Sequence, residues 1–324
     1  MNKINSFEIV KKLIFIVNRE AKNGFSRKIW YNIERKLDDI PHDVYFTEKK
    51  GHATLLAKQA AESTNDPLII IAVGGDGTIH EVLNGALQYS HITFGYIPTG
   101  SGNDFAKGFE LPRNPEACLE IILREVNNIS HQFDIGFYQG NDEQNGYFVN
   151  SLGAGVDASI VYKANKSPLK KWLNYFSLGN IIYAIYLIAE LFHYKPNMLE
   201  LTIDQKKYTF EKTWFITISN QPYYGGGMQI APLADPKDGA FSIVVVHQLS
   251  RWKLLFVFMS VFSGKHLNFK EVTEYKGTDI KIDVDRPILL HADGENIGHT
   301  PIHVKMSARK WKLIQSSVAV SEGK

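Results

Sequence analysis

Residues 68–85 read LIIIAVGGDGTIHEVLNG. The first six are uniformly apolar and stop at two glycines, which is how a parallel strand covered on both faces is written. A helical pattern follows from Thr78 to Leu87. Outward from this unit the same alternation continues. LIFIV (13–17), VYFT (44–47) and TFGYIP (93–98) read as strands, and 26–37, 54–63 and a stretch ending near Val126 read as helices. A βαβα rhythm of this kind predicts an open parallel sheet with helices on both faces. Ligands of such sheets sit beyond the carboxyl ends of the strands, where the glycine-rich turns fall.

After about residue 134 the rhythm changes. Residues 147–153, 198–204, 206–220, 240–247, 279–284, 288–293 and 302–306 read as short strands separated by turn residues. They predict an antiparallel sandwich or barrel-like domain. Helical patterns over 178–192 and 250–262 interrupt it. The chain has 324 residues, room for two domains with separate cores. A formal net charge of +2 demands no nucleic-acid partner. The single cysteine, Cys118, excludes an internal disulfide framework and reads as a buried small hydrophobe in a reducing compartment. Lys11 and Lys12 before Leu13–Val17 imitate a signal peptide, but the apolar run is too short and reads as the first strand. Leu254–Phe262 is too short to cross a bilayer. The expectation is a cytoplasmic protein that touches membranes transiently.

Gly74-Gly75-Asp76-Gly77-Thr78 joins a strand to a helix. Glycines let backbone N–H groups approach a phosphate, and the helix N-terminus adds partial positive charge. Asp76 can reach a magnesium ion or its waters. The bland alternative is a plain turn with Asp76 near an N-cap. No Gly-Lys-Ser/Thr follows, and neither His-Arg-Asp nor Asp-Phe-Gly occurs, so this is neither a P-loop nor a protein kinase. Pro98-Thr-Gly-Ser101-Gly-Asn103-Asp104 is a second such loop, with Asp104 as a further acid; its alternative is a cap built from Ser101 or Asn103. His291-Ala-Asp293-Gly-Glu295 ends a strand with two carboxylates, equally readable as a hairpin turn. Gly153–Ala158 mimics a dinucleotide fingerprint without the unit that should follow it. His299 and His303, with Pro301 between them, do not share a helix face as metal ligands would.

GGDGTIHEVLNG (74–85) together with PTGSGNDFA (98–106) resembles the diacylglycerol-kinase catalytic-domain family of lipid kinases. The first loop alone is also similar to NAD kinases and phosphofructokinases. Further matches fall at 46–57, FDIG (133–136), NSLGAGVDA (150–158), APLADPKDGAFSIVVV (231–246), SGKH (263–266) and DGE (293–295). The resemblance implies a nucleotide-binding α/β domain over 1–134, with 307–324 packing back on it, and a β-sandwich lipid-substrate domain over 135–306, with ATP in the cleft. It implies that Thr47, Gly74, Gly75, Asp76, Gly77, Thr78, Ser101 and Asn103 contact ATP. Asp76, Asp104 and Asp134 would surround a catalytic magnesium, and Asp235, Asp238 and Ala240 a structural one. Glu295, with Asp293 as the rival, would be the base that deprotonates the acceptor alcohol. One departure stands at Asn18–Gly24, which lacks the Pro and Ser-Gly common in the family.

The expected reaction is transfer of the γ-phosphoryl of ATP to a membrane lipid alcohol, diacylglycerol first. A kinase of a soluble acceptor such as NAD, or an inactive lipid- or nucleotide-binding module, are the alternatives. Lys170, Lys171, Trp172, Tyr175 and Phe176 combine cations with aromatics suited to a headgroup interface. Tyr223–Met228 is an aromatic, glycine-rich loop fit to border the acceptor, and a homodimer is compatible with the composition.

Overall fold

The computed structural model describes residues 11–22, 24–128, 130–140, 144–167 and 181–316, the side chains of 181–184 excepted. It divides into two compact units. The first holds residues up to Gly100, Glu110–Phe133 and the chain from Trp311; the second holds Ser101–Phe109 and Asp134–Lys310.

In the first unit, strands β1 (Lys12–Val17), β2 (His42–Phe46), β3 (Leu68–Gly74) and β4 (Ile92–Pro98) alternate with helices α1 (Phe25–Glu34), α2 (His52–Glu62) and α3 (Asp76–Ala86). The strand order is β2-β1-β3-β4, all parallel. Every residue of β3 and β4 is buried, which is why both read as unbroken apolar runs. Helix α4 (Asp104–Gly108) belongs to the second unit, and α5 (Pro115–Glu125) to the first. Asn114 caps α5 through its side chain, with Pro115 in the first turn. Strand β5 (His131–Phe133) closes the sheet. The strand Trp311–Leu313 lies next to it, antiparallel to β5 and parallel to β4.

The second unit is antiparallel. Its longest strand, Lys206–Ser219, pairs first with Asn197–Ile203. The register shifts between Phe210 and Thr213, where Lys212 has φ of 51°, and the strand continues between Ser151–Gly155 and Phe241–His247. Side chains on Phe241–His247 alternate between two cores. Phe241, Ile243 and Val245 enter one, and Val244 and Val246 the other. Three helices cover that second core: α6 (Val156–Lys166), α7 (Ile181–His193) and α8 (Arg251–Val261).

One sequence expectation is corrected. Residues 147–153 are not one strand: Asn145–Phe148 and Ser151–Gly155 are separate. The chain breaks because the N–H groups of Val149 and Asn150 turn to the Asp293 carboxylate instead of a neighbouring strand.

Candidate functional site

At the end of β3 the chain turns through Gly74 and Gly75 into α3. A Cβ on Gly74 would stand 2.3 Å from Thr78 Oγ1, so only glycine fits there. The Gly74 carbonyl accepts from Thr99 N at 2.8 Å and Tyr96 Oη at 3.1 Å. Asn18 N donates to Val73 O, and its amide donates to Thr78 Oγ1 at 3.1 Å. The altered 18–24 loop thus keeps the asparagine contact that ties it to the glycine turn. The cap residue of α3 is Gly75, and no side chain caps the helix; Asp76 stands in the first turn rather than capping it. The start of this eleven-residue helix therefore stands at the C-terminal ends of parallel strands, where its dipole favours an anion. Thr47 follows β2 and donates its N–H to Val17 O.

The other predicted residues lie in the second unit. Asn103 caps α4 in the left-handed region, φ 53°, without a side-chain cap bond, and its Oδ1 is buried without a hydrogen-bond partner. Asp104 is buried; Oδ2 accepts from Gly226 N at 2.7 Å, while Oδ1 has no hydrogen-bond partner. Burial pushes its carboxyl above the usual range, against the Gly226 N–H and the Lys107 ammonium. Gly225, Gly226 and Gly227 all have positive φ, the backbone that aims the Gly226 N–H at this acid.

Asp134 is also buried, but both its oxygens are engaged. Oδ2 accepts from Gly239 N at 2.8 Å and Oδ1 pairs with Lys310 Nζ at 2.8 Å. Its own N–H donates to Pro236 O, so Asp134 and the 235–240 loop are brought together. In that loop Asp235 accepts from Lys237 N, and Asp238 accepts from Ala240 N and pairs with Lys276 Nζ at 2.7 Å. A cation there would have to displace a lysine. Among the described residues no group of three or more His, Cys, Asp or Glu side chains is arranged for a metal. His303 Nε2 instead meets Asp279 Oδ1 at 2.7 Å.

Asp293 and Glu295 separate clearly. Asp293 sits in the left-handed region, φ 49°, and its carboxylate accepts from Val149 N, Asn150 N and Ser151 N at 3.0, 2.9 and 3.0 Å. Glu295 opens the next strand, Glu295–His299, opposite Ala292.

Sequence reasoning missed a further buried acid. Asp157, on α6, places Oδ2 3.3 Å from His291 Nε2, and the His291 ring stacks on Tyr224. Gly153 is held to glycine by this packing and Gly155 by the neighbouring strand. A Cβ on Gly153 would be 2.2 Å from Asp157 Oδ2, and one on Gly155 would be 2.5 Å from Trp214 O. Asp157 borders an apolar cavity of about 50 Å³. Ile160, Leu187, Met228, Leu254 and Val257 are among its walls. The Tyr223–Met228 loop lies at this cavity, whereas the lipid contact predicted for residues 170–176 lies outside the described residues.

The architecture is thus a parallel α/β sheet with a glycine turn into a helix, in a chain that continues into an antiparallel β unit. The chain belongs to the diacylglycerol kinase catalytic domain family: that domain matches residues 12–137, and the YegS C-terminal NAD kinase beta sandwich-like domain matches residues 150–315. The Bacillus subtilis protein named "Putative lipid kinase YtlR" is 33% identical over 92% of this chain and 98% of its own. A Bacillus subtilis diacylglycerol kinase is 29% identical over 93% and 98%. A solved diacylglycerol kinase structure from Bacillus anthracis superposes with a TM-score of 0.68 at 20% identity, covering 96% of this chain and 98% of that one. Yeast NADH kinase shares the fold more distantly, with a TM-score of 0.51 at 10% identity over 95% and 84%.

Proposed function

We propose that this enzyme transfers the γ-phosphoryl of ATP to the hydroxyl of a membrane lipid, diacylglycerol being the leading acceptor. The observation that carries the reading is the apolar cavity in the second unit, walled by Ile160, Leu187, Met228, Leu254 and Val257. Its walls are almost wholly apolar, which suits an alkyl chain rather than a polar acceptor. A soluble acceptor such as NAD has no use for such walls.

In this reading the Gly74–Thr78 turn and the N-terminus of α3 hold phosphate through backbone N–H groups, with Thr47, Ser101 and Asn103 as further contacts. Phosphoryl transfer asks for positioning, charge neutralisation and a proton acceptor. Magnesium, when bound, supplies charge neutralisation at the phosphates. Asp104 fits a cation because one of its buried oxygens lacks any donor, and Asp76 is the acid of the phosphate loop. Asp134 and Asp238 each already hold a lysine ammonium, so we assign them to the internal architecture of the second unit. Glu295 takes the acceptor proton. Asp293 holds the turn before it, since three backbone donors converge on its carboxylate.

The test is an acceptor panel with ATP labelled at its γ-phosphate: diacylglycerol, single-chain lipid alcohols and NAD. Label entering a lipid supports the reading. Label entering NAD and no lipid overturns it.

A further inference from the structure

Helices α7 and α8 are apolar on two sides, and only one is used by the core. Inward, Leu187 and Leu191 of α7 and Leu254, Val257 and Val261 of α8 are buried. Outward, Ile185, Ile188 and Phe192 recur at helical spacing on α7 and are 44–55% exposed. Trp252, Phe256 and Met259 recur on α8 and are 64–70% exposed, with Phe262 following at 50%. The two rows adjoin, since the Phe192 and Trp252 rings meet edge-on with centroids 6.0 Å apart. Seven large apolar side chains on neighbouring helices form a patch that water alone does not account for.

The charges on the two helices themselves are mostly cationic. In residues 185–198 the only acid is Glu190, which is buried and bound by Lys163 and Ser159. Residues 250–265 contain no acid and carry Arg251, Lys253 and Lys265, of which Lys253 is paired with Glu271 at 2.7 Å. Lys195 and Lys265 are exposed at the ends of the two helices. An apolar helix face bearing Trp and Phe with a cationic fringe is the pattern of a segment lying in an anionic membrane interface. A second copy is a poorer occupant: a two-fold contact would set this cationic fringe against itself.

We propose that the outer faces of α7 and α8 insert into the surface of an anionic lipid bilayer. This rests on the lipid-acceptor reading for its purpose, because the inner faces of the same helices wall the apolar cavity. The helices then stand with one side in the bilayer and the other on the acceptor's chain, so that a lipid enters the cavity without its chain crossing water. Arg251 ties them together: its guanidinium donates to the carbonyls of Leu191 and Tyr194 at the end of α7.

The experiment uses the full chain with phosphatidylglycerol vesicles, and phosphatidylcholine vesicles for comparison. Brominated acyl chains should quench tryptophan fluorescence in the wild type, and Trp252→Phe should remove a large part of that quenching. The triple variant Trp252→Gln/Phe256→Gln/Met259→Gln changes exposed positions outside the cavity wall. It should bind phosphatidylglycerol vesicles roughly 100-fold more weakly, given the apolar area withdrawn. It should keep wild-type turnover on a monomeric short-chain diacylglycerol while losing it on vesicles. Wild-type binding by the triple variant overturns the proposal. So does sedimentation showing that the patch joins two copies and leaves vesicles untouched. Should the wild type phosphorylate no lipid while the quenching and its loss are seen, the membrane face stands and the acceptor reading falls.

Discussion

Replacing Asp293 and replacing Glu295 should do opposite things, although the two acids are separated only by Gly294. The Asp293 carboxylate accepts three backbone N–H groups at 2.9–3.0 Å, and its own N–H donates to Ser151 O at 2.8 Å. Asp293→Ala leaves three donors facing a void. At about 1–3 kcal/mol for each unsatisfied buried donor, and with water reaching part of the site, a loss of about 3–6 kcal/mol is expected. Asp293→Asn is milder. Asparagine tolerates the left-handed backbone and keeps one acceptor oxygen for Asn150 and Ser151, so only the Val149 bond fails, costing about 1–2 kcal/mol. Glu295→Gln should leave stability within about 0.5 kcal/mol, as expected for a substitution on a partly exposed strand end. It should nevertheless lower turnover about 10²–10⁴-fold, the usual contribution of a general base. Urea unfolding followed by tryptophan fluorescence gives the first quantity, and initial rates with labelled ATP the second. The reasoning is refuted if Asp293→Asn folds as stably as wild type while losing as much activity as Glu295→Gln, or if Glu295→Gln retains full turnover.

Asp104 predicts a pH dependence. Because burial raises its folded carboxyl above the unfolded value of 3.8, the folded state holds the proton more tightly. Its contribution favours folding at low pH and is lost as pH rises through the raised value. Thermal melts of the metal-free protein should show Asp104→Asn more stable near neutrality and lacking that fall; parallel profiles would contradict it. Cys118, whose thiol burial pushes up to about 12, donates to Pro112 O at 3.1 Å. It should resist thiol reagents in the native protein and react on unfolding. Gly153→Ala should cost about 1–3 kcal/mol in denaturant unfolding, because the added methyl would stand 2.2 Å from Asp157 Oδ2 and 2.4 Å from His291 Nε2, both buried.

The parallel half of the fold was readable because its signals are local. Leu68–Val73 is apolar throughout since helices cover both faces of β3, and the glycines after it mark the turn. The second half was readable as strands from alternation, but its joints were not. The break at Val149–Asn150 depends on an acid 144 residues further along, which Asn150 and Ser151 alone do not reveal. Asp104 was found by its loop, whereas its partner Gly226 lies 122 residues away. The Gly153–Ala158 motif concealed its purpose for the same reason: Gly153 makes room for an Asp157–His291 pair 134 residues apart. The lysines that occupy Asp134 and Asp238 could not be paired with them from spacing alone. On α7 and α8, periodicity does not tell a face turned to the core from one turned outward when both are apolar.

The most direct test of the central claim is the fate of the γ-phosphate of labelled ATP in a mixture with magnesium and diacylglycerol micelles. The account predicts label extracted into organic solvent as a phosphorylated lipid by the wild type, and at least about 10²-fold less by Glu295→Gln. Label confined to the aqueous phase, or equal lipid labelling by both proteins, would contradict it.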